Sequence, residues 1–268
     1  MKKNALLPTL LTLGNAVCGL AAIAYASRIG KADSSPDADK MFLAASGWLI
    51  CGAMVFDTLD GFFARLFKAA GRFGAELDSL CDAISFGAAP AFLLLQVGPG
   101  RDQPFLHQIL AAVASLYMMC AILRLARFNV ESLEVASKKF RGLPSPAAAG
   151  CIASLAIVRG SLGHRWPLLD TAPVATFLEA WATAGAVFVA ILMVSNVAYP
   201  HLTKQMLRGK RRRSTTLLPP LTLLAGIALQ EAALVFLFWA YAVSFLARAV
   251  WIRMMPHEPE AGTDRRTR

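Results

Sequence analysis

Charge is scarce in this chain: 16% of its 268 residues are Asp, Glu, Lys or Arg, against 56% that are hydrophobic. So little charge, with a mean hydropathy of +0.52, excludes an ordinary water-soluble domain and indicates a polytopic membrane protein. No second copy of any acidic motif and no long polar linker interrupts the sequence. One membrane domain is therefore expected over residues 1–255, with a charged, disordered tail at 256–268. Cysteines 18, 51, 81, 120 and 151 fall one in each of the first five apolar runs, an odd number without metal-ligand spacing, and read as small packing residues. His107, His164, His201 and His257 lie at helix ends or in loops, where nothing marks them as catalytic. Acidic residues are the scarcer sign, 17 against 27 basic, giving a net charge of +10. The excess sits in short segments between apolar runs, which argues against a nucleic-acid partner and for a topology signal.

Apolar runs of about 20 residues predict an all-α bundle of eight transmembrane helices near 6–26, 41–66, 75–97, 105–128, 145–160, 173–198, 216–229 and 231–251. Residues 1–26 also have the outline of a secretory signal, with Lys2, Lys3 and a small-residue site at Ala24-Tyr25-Ala26. The run is long enough to span and many more spans follow it, so a retained first helix is the better reading. Pro8 is tolerated near its start, and Asn15 is assigned a minor packing or lining role. Alternate loops carry Lys2 and Lys3, then Lys68 and Arg72, then Lys138, Lys139 and Arg141, then the cluster RGKRRR at 208–213. The opposite loops balance their bases with Asp33, Asp37, Asp39, Asp102 and Asp170. The positive-inside rule then places both termini in the cytoplasm, in the cell membrane. RGKRRR needs no role beyond topology, although anionic headgroups would suit it.

Against this apolar background, FDTLDGFFARLFKAAGRFGAELDSLCD at 56–82 brings four aspartates in two pairs. Asp57 and Asp60 are three apart and Asp78 and Asp82 four apart, so each pair shares a helix face. The segment Leu66 to Phe73, with Lys68, Gly71 and Arg72, reads as a turn, and an antiparallel hairpin puts Asp57 level with Asp82 and Asp60 level with Asp78. Four carboxylates facing one volume repel, and each costs about 2.5–3.5 kcal/mol at a membrane helix centre. A cation must compensate them. With no His or Cys in the set, the donors suit Mg²⁺ or Mn²⁺ rather than zinc, and two such ions match a diphosphate substrate. Solvated acids paired with Arg65 are the plain alternative; Gly61 and Ala64, which open the same hairpin to close approach, speak against it. Asp57 lies about 12 Å of helix rise before Arg65, so the site is expected just below the cytoplasmic surface.

The pattern Asp57-x2-Asp60-Gly61-x2-Ala64-Arg65-x8-Gly74-x3-Asp78-x3-Asp82 resembles the signature of the CDP-alcohol phosphotransferases, matching at all eight positions. These are integral membrane enzymes that move a phosphoalcohol group from a CDP-linked donor and release CMP. The resemblance implies that Asp57, Asp60 and Asp78 hold two metal ions and that Asp82 is the catalytic base and a further metal contact. It also implies that Gly61, Ala64 and Gly74 make room for the nucleotide, with Arg65 near it. DAISFGAAPA after the motif, RLARFN at 124–129 and RGLPSPAAA at 141–149 are similar to the phosphatidylserine synthase branch. That branch implies CDP-diacylglycerol and L-serine as substrates, and a homodimer.

Read from the residues alone, Gly87 and its small neighbours favour a close helix crossing, and Pro90 predicts a kink in the third helix. Arg124 and Arg127, three apart, share a face and with Asn129 and Arg141 are candidates for the serine carboxylate or the lipid phosphate. Two alternatives stand beside this reading. One is another acceptor, glycerol 3-phosphate or an inositol phosphate. The other is a cation transporter, for which the expected repeated halves are absent.

Overall fold

The structure, a computed structural model, describes residues 6–31, 34–67, 71–98, 104–133, 142–195 and 231–254. All the regular structure among them is helical. In chain order the helices are α1 (Leu6–Ala26), α2 (Pro36–Leu66), α3 (Arg72–Asp82), α4 (Ala89–Val97), α5 (Pro104–Leu133), α6 (Ser145–Arg165), α7 (Ala172–Val194) and α8 (Glu231–Met254). A π-helical turn, Ala83–Ala88, joins α3 to α4, and one 3₁₀ turn, Pro167–Leu169, leads into α7. Six stretches are long and apolar enough to cross a membrane, α3 to α4 counting as one. The expected helix at 216–229, the RGKRRR cluster, Lys2, Lys3, Lys68 and the tail after 256 lie outside the described residues.

α2 begins five residues before its expected start at 41. The charges at Asp37, Asp39 and Lys40 suggested a loop, but they are a helix start. Ser35 caps the helix by accepting the Ala38 N–H at 3.2 Å, Pro36 takes the first position, and Asp37 and Asp39 in the first turn complement the helix dipole. The third span runs on as one stretch, Phe73–Val97, and the chain changes pitch before Pro90. Proline has no N–H to give to the carbonyl four residues back, and the Ala89 N–H instead reaches the Ile84 carbonyl, a five-residue step.

α1 lies along α2, α2 against α6, α6 against α7 and α8, and α5 against α7. The core is built from small residues that let these helices approach. α6 contributes Ala148, Ala149, Cys151, Ala153 and Ala156, all fully buried, and a Cβ on Gly160 would stand 2.7 Å from the Ala44 nitrogen of α2. Buried Cys51, Cys81, Cys120 and Cys151 are free thiols, as the packing role expected of them requires. α8 is seated by Trp239, whose Nε1 donates to the Cys151 carbonyl at 3.3 Å. Ion pairs collect at the end of the bundle where α2 starts and α6 finishes: Lys40 with Asp170, Arg159 with Asp170 and Arg165 with Glu231. The acidic pairs lie toward the opposite end.

Candidate active site

α2 and α3 form the expected antiparallel hairpin. α2 ends at Leu66 and α3 opens at Arg72 after Gly71, so helical phase alone turns the two acidic pairs inward. Ligand oxygens of Asp57, Asp60 and Asp78 all lie within 4.8 Å of one another. Asp60 is 5% exposed. Its Oδ2 and the Oδ1 of Asp78 are buried without a hydrogen-bond partner. Two orphaned anionic oxygens beside a third carboxylate are a costly arrangement for a protein alone. An all-oxygen donor set with open lone pairs is what a hard divalent cation requires, so these residues fit a Mg²⁺ or Mn²⁺ site.

Asp82 stands apart from that trio. One turn beyond Asp78 and buried, it gives its Oδ1 to the Asn15 side chain of α1, whose Nδ2 donates at 2.9 Å. Asp57, Asp78 and Asp60 all lie within electrostatic reach of it, and Asp57 itself groups with Asp60 and Asp78 rather than pairing with Asp82 alone. Thr12, a turn before Asn15, lies beside Asp60 while its hydroxyl donates to the Pro8 carbonyl at 3.0 Å.

The other expected residues divide into three groups. Gly61 and Ala64 lie on the motif face of α2, and a Cβ at Gly61 would meet only Arg65 Nη1, at 3.6 Å; Arg65 is within electrostatic reach of Asp60. A Cβ on Gly74 would meet nothing within 4 Å, so protein packing leaves free space there. Arg124 comes in from α5, within the field of Asp82 and Asp57, and its Nη1 donates to Ser145 Oγ at 2.7 Å. Its Nε is buried and unpartnered. Arg127 follows a turn later, half-buried and with a partner of its own. Asn129 is engaged by α3, where Ser79 Oγ donates to its Oδ1 at 3.0 Å. Arg141 lies outside the described residues.

Sequence reasoning missed Ser145 and Tyr241. Ser145 sits between two prolines, which marked a turn rather than a partner for Arg124; Tyr241 of α8 lies within electrostatic reach of Arg124 although it is over a hundred positions away. Asn15 was undervalued, and its signal was an amide side chain inside an apolar span.

A family model described as CDP-alcohol phosphatidyltransferase matches residues 5–194. The chain belongs to that family. It is 33% identical over 202 residues to a CDP-diacylglycerol–serine O-phosphatidyltransferase of Helicobacter pylori, covering 74% of this chain and 73% of the relative. A Mycobacterium tuberculosis protein of the same name is 29% identical over 269 residues, 97% of this chain and 84% of the relative. An archaetidylserine synthase of Methanothermobacter thermautotrophicus is 34% identical over 201 residues, 73% of this chain and 70% of the relative.

Proposed function

We propose that the chain transfers the phosphatidyl group of CDP-diacylglycerol to the hydroxyl of L-serine, yielding phosphatidylserine and CMP. The observation that carries this reading is the trio Asp57, Asp60 and Asp78 with two orphaned buried oxygens, set next to an aspartate that an amide holds in place. Asp57, Asp60 and Asp78 would hold the divalent ions, two by the family pattern, which would supply charge neutralisation for the donor's diphosphate and the departing CMP. Phosphoryl-type transfer otherwise asks for positioning and a proton acceptor. Asp82, a turn further along α3, accepts the serine hydroxyl proton as the hydroxyl oxygen bonds to the lipid phosphorus and the phosphorus–oxygen bond to CMP breaks. Gly61, Ala64 and Gly74 leave room for the nucleotide beside Arg65.

Serine as acceptor is supported by the names of the relatives, which change in their lipid portion between phosphatidyl and archaetidyl while serine stays. It is also supported by Arg124, a guanidinium with one nitrogen pinned by Ser145 and its Nε unused, as a carboxylate requires. Arg127, Asn129 and Arg141 are secondary candidates for the acceptor or the lipid phosphate. The domain takes eight spans in the cell membrane with both termini cytoplasmic, and works as a homodimer. The hairpin then opens to the cytoplasm, so that lipid donor enters from the bilayer and serine from the water.

The test is CMP release by protein purified in detergent, with CDP-diacylglycerol and Mn²⁺ or Mg²⁺, with and without L-serine, beside Asp82→Asn. Release that needs serine and metal and disappears in the variant is the expected result. Release with glycerol 3-phosphate or an inositol phosphate but not serine would move the chain to another branch. No release with any acceptor, together with metal flux into liposomes, would replace the transferase by a transporter.

A further inference from the structure

The π turn between α3 and α4 is tied down on both sides, by α5 and by α1. Pro90 has no N–H for the carbonyl of Phe86, four residues earlier. The Tyr117 hydroxyl of α5 donates to that carbonyl at 3.0 Å, and Tyr117 and Phe86 are both fully buried. From the other side, Ser85 Oγ within the turn donates to the main-chain carbonyl of Asn15 at 2.8 Å. The side chain of that same Asn15 donates to Asp82 at 2.9 Å. α1 can approach this closely because residue 19 is glycine: a Cβ there would collide with Ser85 Oγ and stand 2.7 Å from Ser85 Cα.

These bonds share one neighbour. Asp82 is the last residue of α3 before the turn, so the pitch of residues 83–88 sets the direction from which its carboxylate enters the site. Local π turns are uncommon, hold poorer backbone hydrogen bonds than an α-helix, and concentrate at functional sites. Here the deficit at Phe86 is met by a side chain from α5, and the start of the turn is locked to α1 through Ser85 and Asn15. We propose that Asn15 and Tyr117 are positioning residues that clamp the π turn from opposite sides and thereby aim the Asp82 carboxylate at the acceptor hydroxyl. The inference rests on the reading of Asp82 as proton acceptor. Acting through Asp82, the clamp is expected to change turnover and leave binding alone.

Steady-state CMP release at saturating Mn²⁺ distinguishes this role from simple packing, comparing the parent with Tyr117→Phe, Asn15→Leu and Asp82→Asn. Tyr117→Phe removes a single oxygen that holds the turn, and Asn15→Leu keeps the volume and the main-chain tie to Ser85 while removing the donor to Asp82. Each is expected to lower kcat by about 10- to 100-fold, a loss of alignment, with KM for serine and for CDP-diacylglycerol within about twofold of the parent. If Asn15→Leu does not yield folded protein, Tyr117→Phe decides alone. Folded variants with parental kcat, or with kcat intact and KM raised, overturn the clamp. If those variants are parental while Asp82→Asn is inactive, the clamp fails and the proposed role of Asp82 stands. An active Asp82→Asn removes that role and the clamp with it.

Discussion

Arg124 of α5 donates from Nη1 to Ser145 Oγ of α6 across 2.7 Å, and Ser145 is 1% exposed. The bond fixes the plane of a guanidinium that otherwise has several rotamers inside the bundle. If that plane receives the acceptor's carboxylate, Ser145→Ala should raise KM for L-serine by roughly 10- to 150-fold while changing kcat less, the range of a lost hydrogen bond to a charged group. Arg124→Lys should lose more, since an ammonium cannot offer the planar fork. Serine titrations of both variants check this, and an unchanged KM in Ser145→Ala would place the acceptor elsewhere.

The unpartnered oxygens of Asp60 and Asp78 predict a thermal response to metal that does not depend on turnover. Mn²⁺ at a hundred times its dissociation constant should stabilise the parent by about 2.7 kcal/mol, read as a rise in melting temperature in detergent. Asp60→Asn and Asp78→Asn should show little of that rise and no CMP release. Chelation should abolish activity in the parent, and added Mg²⁺ or Mn²⁺ should return it.

Gly142 carries φ +85° just before α6, and a Cβ there would run into the Met193 carbonyl at the end of α7. The next residue, Leu143, donates its N–H to the Leu192 carbonyl at 3.0 Å. Gly142→Ala therefore meets both a left-handed backbone and a collision, and should cost roughly 1–3 kcal/mol. The expected sign is a lower melting temperature that serine and metal do not restore.

Orientation is open to a labelling experiment on the two ends of α2. Ser34→Cys, before the helix, should react with a membrane-impermeant maleimide in intact cells. Gly71→Cys, after the hairpin turn, should react only once the membrane is opened. The reverse pattern would turn the aspartates away from the cytoplasm.

At the far end of the bundle, Asp170 joins Lys40 and Arg159 with side chains about a quarter exposed. Such pairs contribute little, about 1 kcal/mol or less. Asp170→Asn should lower the melting temperature slightly and leave kcat at the parental value, which separates the stability of this end from the chemistry of the other.

The acidic hairpin was legible because helical phase is local. Positions 57, 60 and 78 need only the 3.6-residue period and an antiparallel turn to meet, and neither depends on the rest of the fold. The early start of α2 was also written in the sequence, as Ser35-Pro36-Asp37, but its charges imitated a loop. What could not be read was the change of pitch before Pro90. A missing N–H announces a fault in the helix; whether the chain kinks or widens depends on what stands opposite the freed carbonyl, and Tyr117 is over twenty residues away. Ser145 and Tyr241 were hidden for the same reason, since both matter through Arg124 on another helix.

α8 adds a last consequence. The family-model match stops at residue 194, yet Trp239 donates to the Cys151 carbonyl of α6 and Tyr241 lies within electrostatic reach of Arg124. The stretch matched by the family model thus holds the aspartates, while α8, which lies beyond that match but within the length shared with the Mycobacterium tuberculosis relative, brings a phenol into reach of the buried guanidinium. Changes along α8 would then alter the surroundings of that guanidinium while leaving the carboxylates of the hairpin untouched.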